Sequence, residues 1–283
     1  MIRLCAFADE ADRTLSGQIE ALKRNGISLI EVRAIEGVNV KDFTLQQAKE
    51  YAETLRQNGI SVWSIGSPLG KVDISVDFET YLDTCRHVFE VANVFGAKYV
   101  RAFSFFNAYK SGEKVLKNLQ KMVALASKYG LTLCHENEKE IYGDTLLRVQ
   151  EILQKVDGVQ AVFDPANYVE VGEDVVAALH ALAPTTQYYH IKDCIRKTNE
   201  KVPSGLGDGQ IPLLLSYAST QDTVLTLEPH LAVFEGYAQI DNTEMKVKFS
   251  FENSHAAFDA AVNALKQCMA SVGLREVEGG FCK

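Results

Sequence analysis

No apolar run in this chain of 283 residues comes near the roughly 20 that a membrane-spanning helix needs. The opening MIRLCAFADEAD turns acidic before the apolar stretch of a secretory signal can build up. Prolines number only six, and no Pro/Gly/Ser-rich or low-complexity tract interrupts the chain. A linker is therefore not expected, and residues 1–283 read as a single domain, a length that one closed barrel accommodates. Cysteines are few and scattered, at 5, 85, 134, 194, 268 and 282, with no CxxC pair. In a chain of this size that scatter points to reduced thiols and a cytoplasmic setting rather than a disulfide framework, with buried free thiols expected at Cys5 and Cys134. Clusters of Lys and Arg interleaved with aromatics are also missing, and the net charge is −8 with a pI near 5.4. Nucleic acid and membrane surfaces are thus not expected partners.

What the chain does have is a recurrence. Gly26 in RNGISLIEV, Gly59 in QNGISVWSI, Gly96 in VFGAKYVRA, Gly130 in KYGLTLCHE and Gly158 in VDGVQAVFD each follow an amphipathic stretch and precede a short apolar run. Glycine just past a helix takes the left-handed conformation at little steric cost and ends the helix. The gaps of 33, 37, 34 and 28 residues suit one strand-loop-helix-loop unit, and repetition at such a period is architectural rather than local. Near-continuous apolar strands alternating with helices imply a parallel sheet covered by those helices.

Eight strand candidates result: IRLCAFA, LIEVRA, SVWSIG, YVRAFSF, LTLCHE, VQAVFD, QYYHIK and TVLTLE. The strict alternation predicts an α/β protein of the (β/α)8 TIM-barrel type. The competing doubly wound sheet lacks its phosphate-binding GxGxxG, since AFADEAD after the first strand holds no glycine. Thr44 to Gln47 carry a capping-box pattern for the second helix, Asp77 is expected to cap the third, and Asp144 to open LLRVQEILQKV. An insertion at about residues 231–253 separates the eighth strand from a last helix starting near Ser254.

Barrel active sites lie at the C-terminal ends of the strands. There strands five to eight end in Glu136, Asp164, His190 and Glu228. A single acidic residue at a strand end is usually a helix cap or a solvated charge, but four consecutive strands delivering one potential ligand each can converge on one ion. Three carboxylates and an imidazole, with no thiolate, favour one divalent ion of the Mn, Mg, Co or Zn kind. His135 adjoins Glu136 and should point to the opposite face of its strand. His230, just past Glu228, is open to substrate contact or structural use, whereas His87, His180 and His255 read as structural. Glu31, Trp63 and Lys71 lie where they can line the mouth; Trp63 reads as core and Lys71 as a solvated loop charge. Lys192 and Asp193 can pair with each other or orient the ligands. Asp208, in GLGDGQIP, is expected to cap a helix.

The segments HENEKEIYGDT, FDPANY, YYHIKD, GLGDGQIP and LEPH together resemble the sugar phosphate isomerase/epimerase superfamily. This is the xylose isomerase-like barrel group that includes ketose 3-epimerases, hydroxypyruvate isomerases and inosose-processing enzymes. The resemblance spans essentially the whole barrel and is poorly specific for substrate. It implies that Glu136, Asp164, His190 and Glu228 are metal ligands and that Glu136 and Glu228 double as the acid/base pair. It places Arg196 at a substrate-binding arginine of the ketose 3-epimerases. Asn167 stands where those enzymes use histidine, and Tyr142 where they use a substrate-contacting glutamate. Both departures count against a ketohexose 3-epimerase in particular.

The implied activity is a metal-dependent isomerisation or epimerisation of a sugar-type hydroxycarbonyl by carboxylate-mediated proton transfer through an enediolate. A dehydratase or lyase of a sugar or inosose can use the same site, and a sugar-binding barrel without activity is the non-enzyme alternative. A DNA-repair endonuclease on this barrel would need several metals, many histidines and a basic face, none of which the chain offers. The expected partner is a small sugar-type molecule, and both a homodimer and a homotetramer are compatible with the sequence.

Overall fold

The computed structural model describes residues 1–232 and 245–283. Eight parallel strands form the barrel: β1 (Ile2–Ala6), β2 (Leu29–Val32), β3 (Ser61–Ile65), β4 (Tyr99–Ala102), β5 (Thr132–Glu136), β6 (Gln160–Phe163), β7 (Thr186–Ile191) and β8 (Thr223–Leu227). Each pairs with the next, and β8 pairs with β1 from Ile2↔Thr223 to Ala6↔Leu227, which closes the ring. All eight strand candidates and the TIM-barrel class are thus observed. A C-terminal hairpin, Arg275–Val277 with Gly280–Cys282, adds antiparallel to the start of β1 through Ile2↔Phe281.

Helices α1 (Leu15–Arg24), α2 (Leu45–Gln57), α3 (Phe78–Phe95), α4 (Gly112–Lys128), α5 (Leu146–Lys155), α6 (Pro165–Glu170), α7 (Val175–Leu182), α8 (Ile211–Ala218) and α9 (Ser254–Ser271) fill the connections. The five recurring glycines all have φ between 70° and 85°, the left-handed region in which a side chain is strained. Thr44 and Gln47 form the complete capping box of α2. Asp77 stands at the N-cap of α3 and accepts the Thr80 hydroxyl. The expectation for Asp144 is corrected: Thr145 is the N-cap of α5, because Tyr109 Oη and Arg148 Nη1 take the Asp144 oxygens at 2.6 and 2.8 Å. Residues 233–244 of the expected insertion lie outside the described residues; α9 begins at Ser254 as expected, capped by Asn253.

Strand periodicity decides what fills the barrel. Side chains two apart on a strand share a face, and the lower interior is an apolar cluster of Cys5, Cys134, Val162, Tyr188 and Val224 with Leu29, Trp63 and Tyr99 packed against it. Trp63 is therefore core, its ring 4.8 Å from that of Tyr99. Two residues further along the same strands come Phe7, Glu136, Asp164, His190, Thr226, Glu31 and Arg101. The polar layer thus sits directly above the apolar one, at the C-terminal mouth. His135, of opposite parity, is buried outside the barrel, where Gly143 leaves room for its ring.

Asp193 organises the loop after β7. It does not pair with Lys192; its two oxygens accept the backbone N–H groups of Cys194, Gly205, Gly207 and Gly209 at 2.9–3.1 Å. Gly207 has to be glycine, since a Cβ there would lie 2.3 Å from Asp193 Oδ1. Asp208 is likewise corrected: it accepts the Arg196 N–H at 2.8 Å, and Gln210 is the residue before α8. Stripping the carboxylate from four donors leaves backbone groups unpaired, so Asp193→Ala is expected to lose about 2–4 kcal/mol in urea denaturation. An unchanged midpoint would show that the loop does not depend on this carboxylate.

Candidate metal centre

The four residues that the sequence offered as metal ligands come together. Glu136, Asp164, His190 and Glu228 are each at most 2% exposed, and one donor atom from each lies within 4.8 Å of all the others. Local sequence sets their orientation. Asp164 is the N-cap of α6, with Pro165 at its first position and Oδ1 accepting from Asn167 N at 3.1 Å. Its other oxygen is left facing the cluster. Asn137 ties the ends of β5 and β6 by exchanging two 2.9 Å hydrogen bonds with the Asp164 backbone.

His190 is aimed by carboxylates on both sides. Its Nδ1 lies 3.0 Å from Glu136 Oε1 and 3.2 Å from Glu228 Oε2, and its Nε2 is 3.2 Å from Glu31 Oε2. Glu31 is fully enclosed and also accepts from Tyr188 Oη and Thr226 Oγ1, each at 3.0 Å. A histidine ligand whose far nitrogen meets a carboxylate is fixed in tautomer and ring orientation. Glu31 is therefore beneath the ligand set, holding His190 by its far nitrogen.

Two arginines that sequence reasoning passed over hold the carboxylate pair. Arg33 Nη1 lies 2.9 Å from Glu228 Oε1, while the rest of its guanidinium grips Asp9 at 2.9 and 3.2 Å and Glu10 at 3.2 Å. Arg101 Nη1 lies 3.2 Å from Glu136 Oε2, with its remaining nitrogens on the Gly66 and Ser67 carbonyls. Phe7 packs against both, its ring 4.3 Å from the Arg33 and 5.1 Å from the Arg101 guanidinium carbon. The available signal was parity: Glu31 with Arg33, and Tyr99 with Arg101, follow the same inward period as the ligands.

Charges at this depth shift one another. Burial pushes the Asp164 carboxyl up to about 7 and that of Glu10 up to about 8. Burial acts on Glu228 too, but the charges of Lys192 and His190 hold it well below the usual carboxylate range. Burial favours neutral His190, and the surrounding Glu136 and Glu31 charges outweigh it and raise its pKa. His230, buried beside Lys192 and Arg33, is held well below the ordinary imidazole value.

The remaining sequence candidates divide. Asn167 is at the site, its Nδ2 2.8 Å from the Asn137 carbonyl and 3.4 Å from Glu136 Oε1. His230 is there too, Nε2 lying 3.3 Å from Glu10 Oε1 and 3.6 Å from Glu228 Oε1. Tyr142 and Arg196 have their polar groups engaged elsewhere. The Tyr142 hydroxyl donates to Glu151 across its own turn, and the exposed Arg196 donates to the Glu173 carbonyl at 2.7 Å. Lys71 is paired with Glu138 at 3.0 Å rather than solvated. His87, His180 and His255 bond the Phe43 carbonyl, Tyr217 and Asp12, as structural histidines would.

The donor set fits a divalent ion. Asp164 Oδ2 and Glu228 Oε2 are buried without a hydrogen bond and face Lys192 Nζ at 2.9 Å and His190 Nδ1 at 3.2 Å, and such oxygens are suited to a bound cation. No helix of the described residues is long and apolar enough to cross a membrane.

The barrel agrees with what known proteins show. The chain matches the xylose isomerase-like TIM barrel family over residues 19–245 and belongs to it. A 3-dehydroshikimate dehydratase of Bacillus anthracis is 21% identical over 244 residues, covering 79% of this chain and 87% of that protein. Among solved structures, the IOLI protein with a bound zinc atom superposes with a TM-score of 0.73 at 17% identity, over 95% of this chain and 99% of that one. D-psicose 3-epimerase with D-tagatose, from Clostridium cellulolyticum H10, gives 0.72 at 14% identity, over 95% and 99%. At these identities the structural likeness speaks to the fold.

If Glu31 orients His190, Glu31→Gln will weaken divalent-ion binding about 10–100-fold while the protein stays folded. Calorimetric titration with Zn²⁺ or Mn²⁺, alongside circular dichroism, reads both quantities; unaltered affinity would remove Glu31 from the centre.

Proposed function

We propose that this protein is a metal-dependent isomerase or epimerase of a sugar or sugar-derived hydroxycarbonyl, working as one barrel domain in the cytoplasm. The observation that carries the reading is the convergence of Glu136, Asp164, His190 and Glu228 from four consecutive strand ends, with two carboxylates flanking the imidazole. Those four would hold one Mn, Mg, Co or Zn ion, which supplies Lewis-acid stabilisation of negative charge on neighbouring substrate oxygens.

The proton work falls to Glu136 and Glu228. Each has one oxygen anchored on a guanidinium, Arg101 for Glu136 and Arg33 for Glu228, and the other turned toward the cluster. Anchoring restricts the positions of both side chains, so little rearrangement is needed during reaction. One takes the proton from the carbon beside the carbonyl and the other returns it. Return to the opposite face of that carbon inverts it; return to the adjacent carbon exchanges aldose and ketose. Asn167 and His230, bordering the two carboxylates, would contact substrate hydroxyls, and Arg196 and Tyr142 would reach a substrate only after giving up their present partners.

A dehydratase is the second reading. Lys192, whose Nζ is 2.9 Å from Asp164 Oδ2, would offer a charged hydrogen bond to a departing hydroxyl, and the B. anthracis relative is a dehydratase by name.

Elemental analysis combined with solvent-deuterium incorporation into a panel of ketoses, inososes and hydroxyketones tests both. About one divalent ion per chain is expected, with exchange next to the carbonyl that Glu136→Gln and Glu228→Gln each reduce about 10²-fold or more. Accumulation of a dehydrated product would select the dehydratase, and absence of bound metal after soaking would defeat both readings.

A further inference from the structure

Three cations are buried in the charged layer, and they are not held alike. Arg33 is gripped by both Asp9 oxygens as well as by Glu10 and Glu228. Arg101 donates to two backbone carbonyls as well as to Glu136. Neither can leave without stranding several buried groups. Lys192, two residues past His190 and so of the same inward parity, is different. Its ammonium lies 2.9 Å from Asp164 Oδ2 and 3.9 Å from Glu228 Oε2, with the side chain 4% exposed.

Those two atoms make no hydrogen bond, although Glu228 Oε2 also lies 3.2 Å from His190 Nδ1. The partner oxygen of each carboxylate is already committed, Asp164 Oδ1 to Asn167 N and Glu228 Oε1 to Arg33. Lys192 therefore meets them by charge without hydrogen-bond geometry, on a flexible four-carbon stem carrying a compact point charge. With the partner oxygens taken, these two are the ones left to an ion bound by the four residues. An ammonium and a divalent ion a few ångströms apart repel strongly where water is excluded.

We propose that Lys192 is the resident counter-ion of this centre: its ammonium neutralises Asp164 and Glu228 while no divalent ion is held, and yields both oxygens when one binds. The proposal rests on the four-ligand reading above. It accounts for how a barrel can bury the ligand carboxylates without depending on metal to fold. On the loaded protein the displaced ammonium is a charged donor beside the reacting groups, available to a substrate oxygen.

Calorimetric titration of Mn²⁺ into metal-free wild type, Lys192→Met and Lys192→Arg tests this, with thermal unfolding measured for each with and without Mn²⁺. Removing the competing charge in Lys192→Met should tighten Mn²⁺ binding about tenfold or more. It should also lower the Tm of the metal-free protein while the loaded Tm stays near that of wild type. Lys192→Arg keeps the charge and should bind no more tightly than wild type. Equal or weaker binding by Lys192→Met overturns the counter-ion role and leaves the four-ligand site standing. Absence of Mn²⁺ binding by wild type overturns both. Should Lys192→Met fail to fold without metal, recovery on adding Mn²⁺ supports the proposal and failure to recover counts against it.

Discussion

Asp9, Glu10, Glu31, Glu136, Asp164 and Glu228 are all buried at one end of the barrel, and the rest of the mouth is arranged around the need to give them partners. Removing a carboxylate from water costs several kcal/mol even after relaxation, and attraction to a neighbour recovers this only with good geometry. Arg33, Arg101, Lys192 and the imidazole of His190 supply the opposing charge. Phe7 packs against both guanidiniums and stands edge-on to His190 at 5.1 Å. Deleting one cation would uncover a carboxylate that no water reaches, so the layer behaves as a unit rather than as separate ion pairs.

The same constraint orders the surrounding backbone. Gly66 and Ser67 lend carbonyls to Arg101, and a Cβ at Gly66 would lie 2.3 Å from the Phe7 ring. Asn137 ties two strand ends together, and α6 begins where it does because Asp164 caps it with one oxygen and keeps the other for the centre. Asp193 then closes the loop after β7 through four backbone donors. Helix capping, loop closure and ligand orientation thus share side chains, which leaves few residues at the mouth that can change without consequence.

Much of this was legible beforehand. The glycine recurrence, the eight strands, the Thr44–Gln47 capping box and the strand-end positions of Glu136, Asp164, His190 and Glu228 are consequences of local rules: left-handed glycine after helices, and two-residue alternation along strands. The same alternation carried Glu31, Arg33 and Arg101 inward, but nothing near them in sequence says what they meet. Arg33 and Glu228 are 195 residues apart, as are Thr226 and Glu31. The errors fell in loops. Asp144 and Asp208 look like helix caps, yet their oxygens go to Tyr109, Arg148 and Arg196, because several donors compete for one carboxylate and only the loop path decides which arrives.

Alone, the sequence determined the barrel, its closure order and which strand ends carry ligand chemistry, since each depends on period and position along the chain. Only the tertiary structure decided that Glu31 stands behind His190, that two arginines anchor the carboxylate pair, and that Lys192 meets Asp164 and Glu228. Tyr142 and Arg196 likewise found partners outside the cluster. These are pairings between charges from distant segments, and their geometry is settled when the ring of strands closes and water is excluded from its interior.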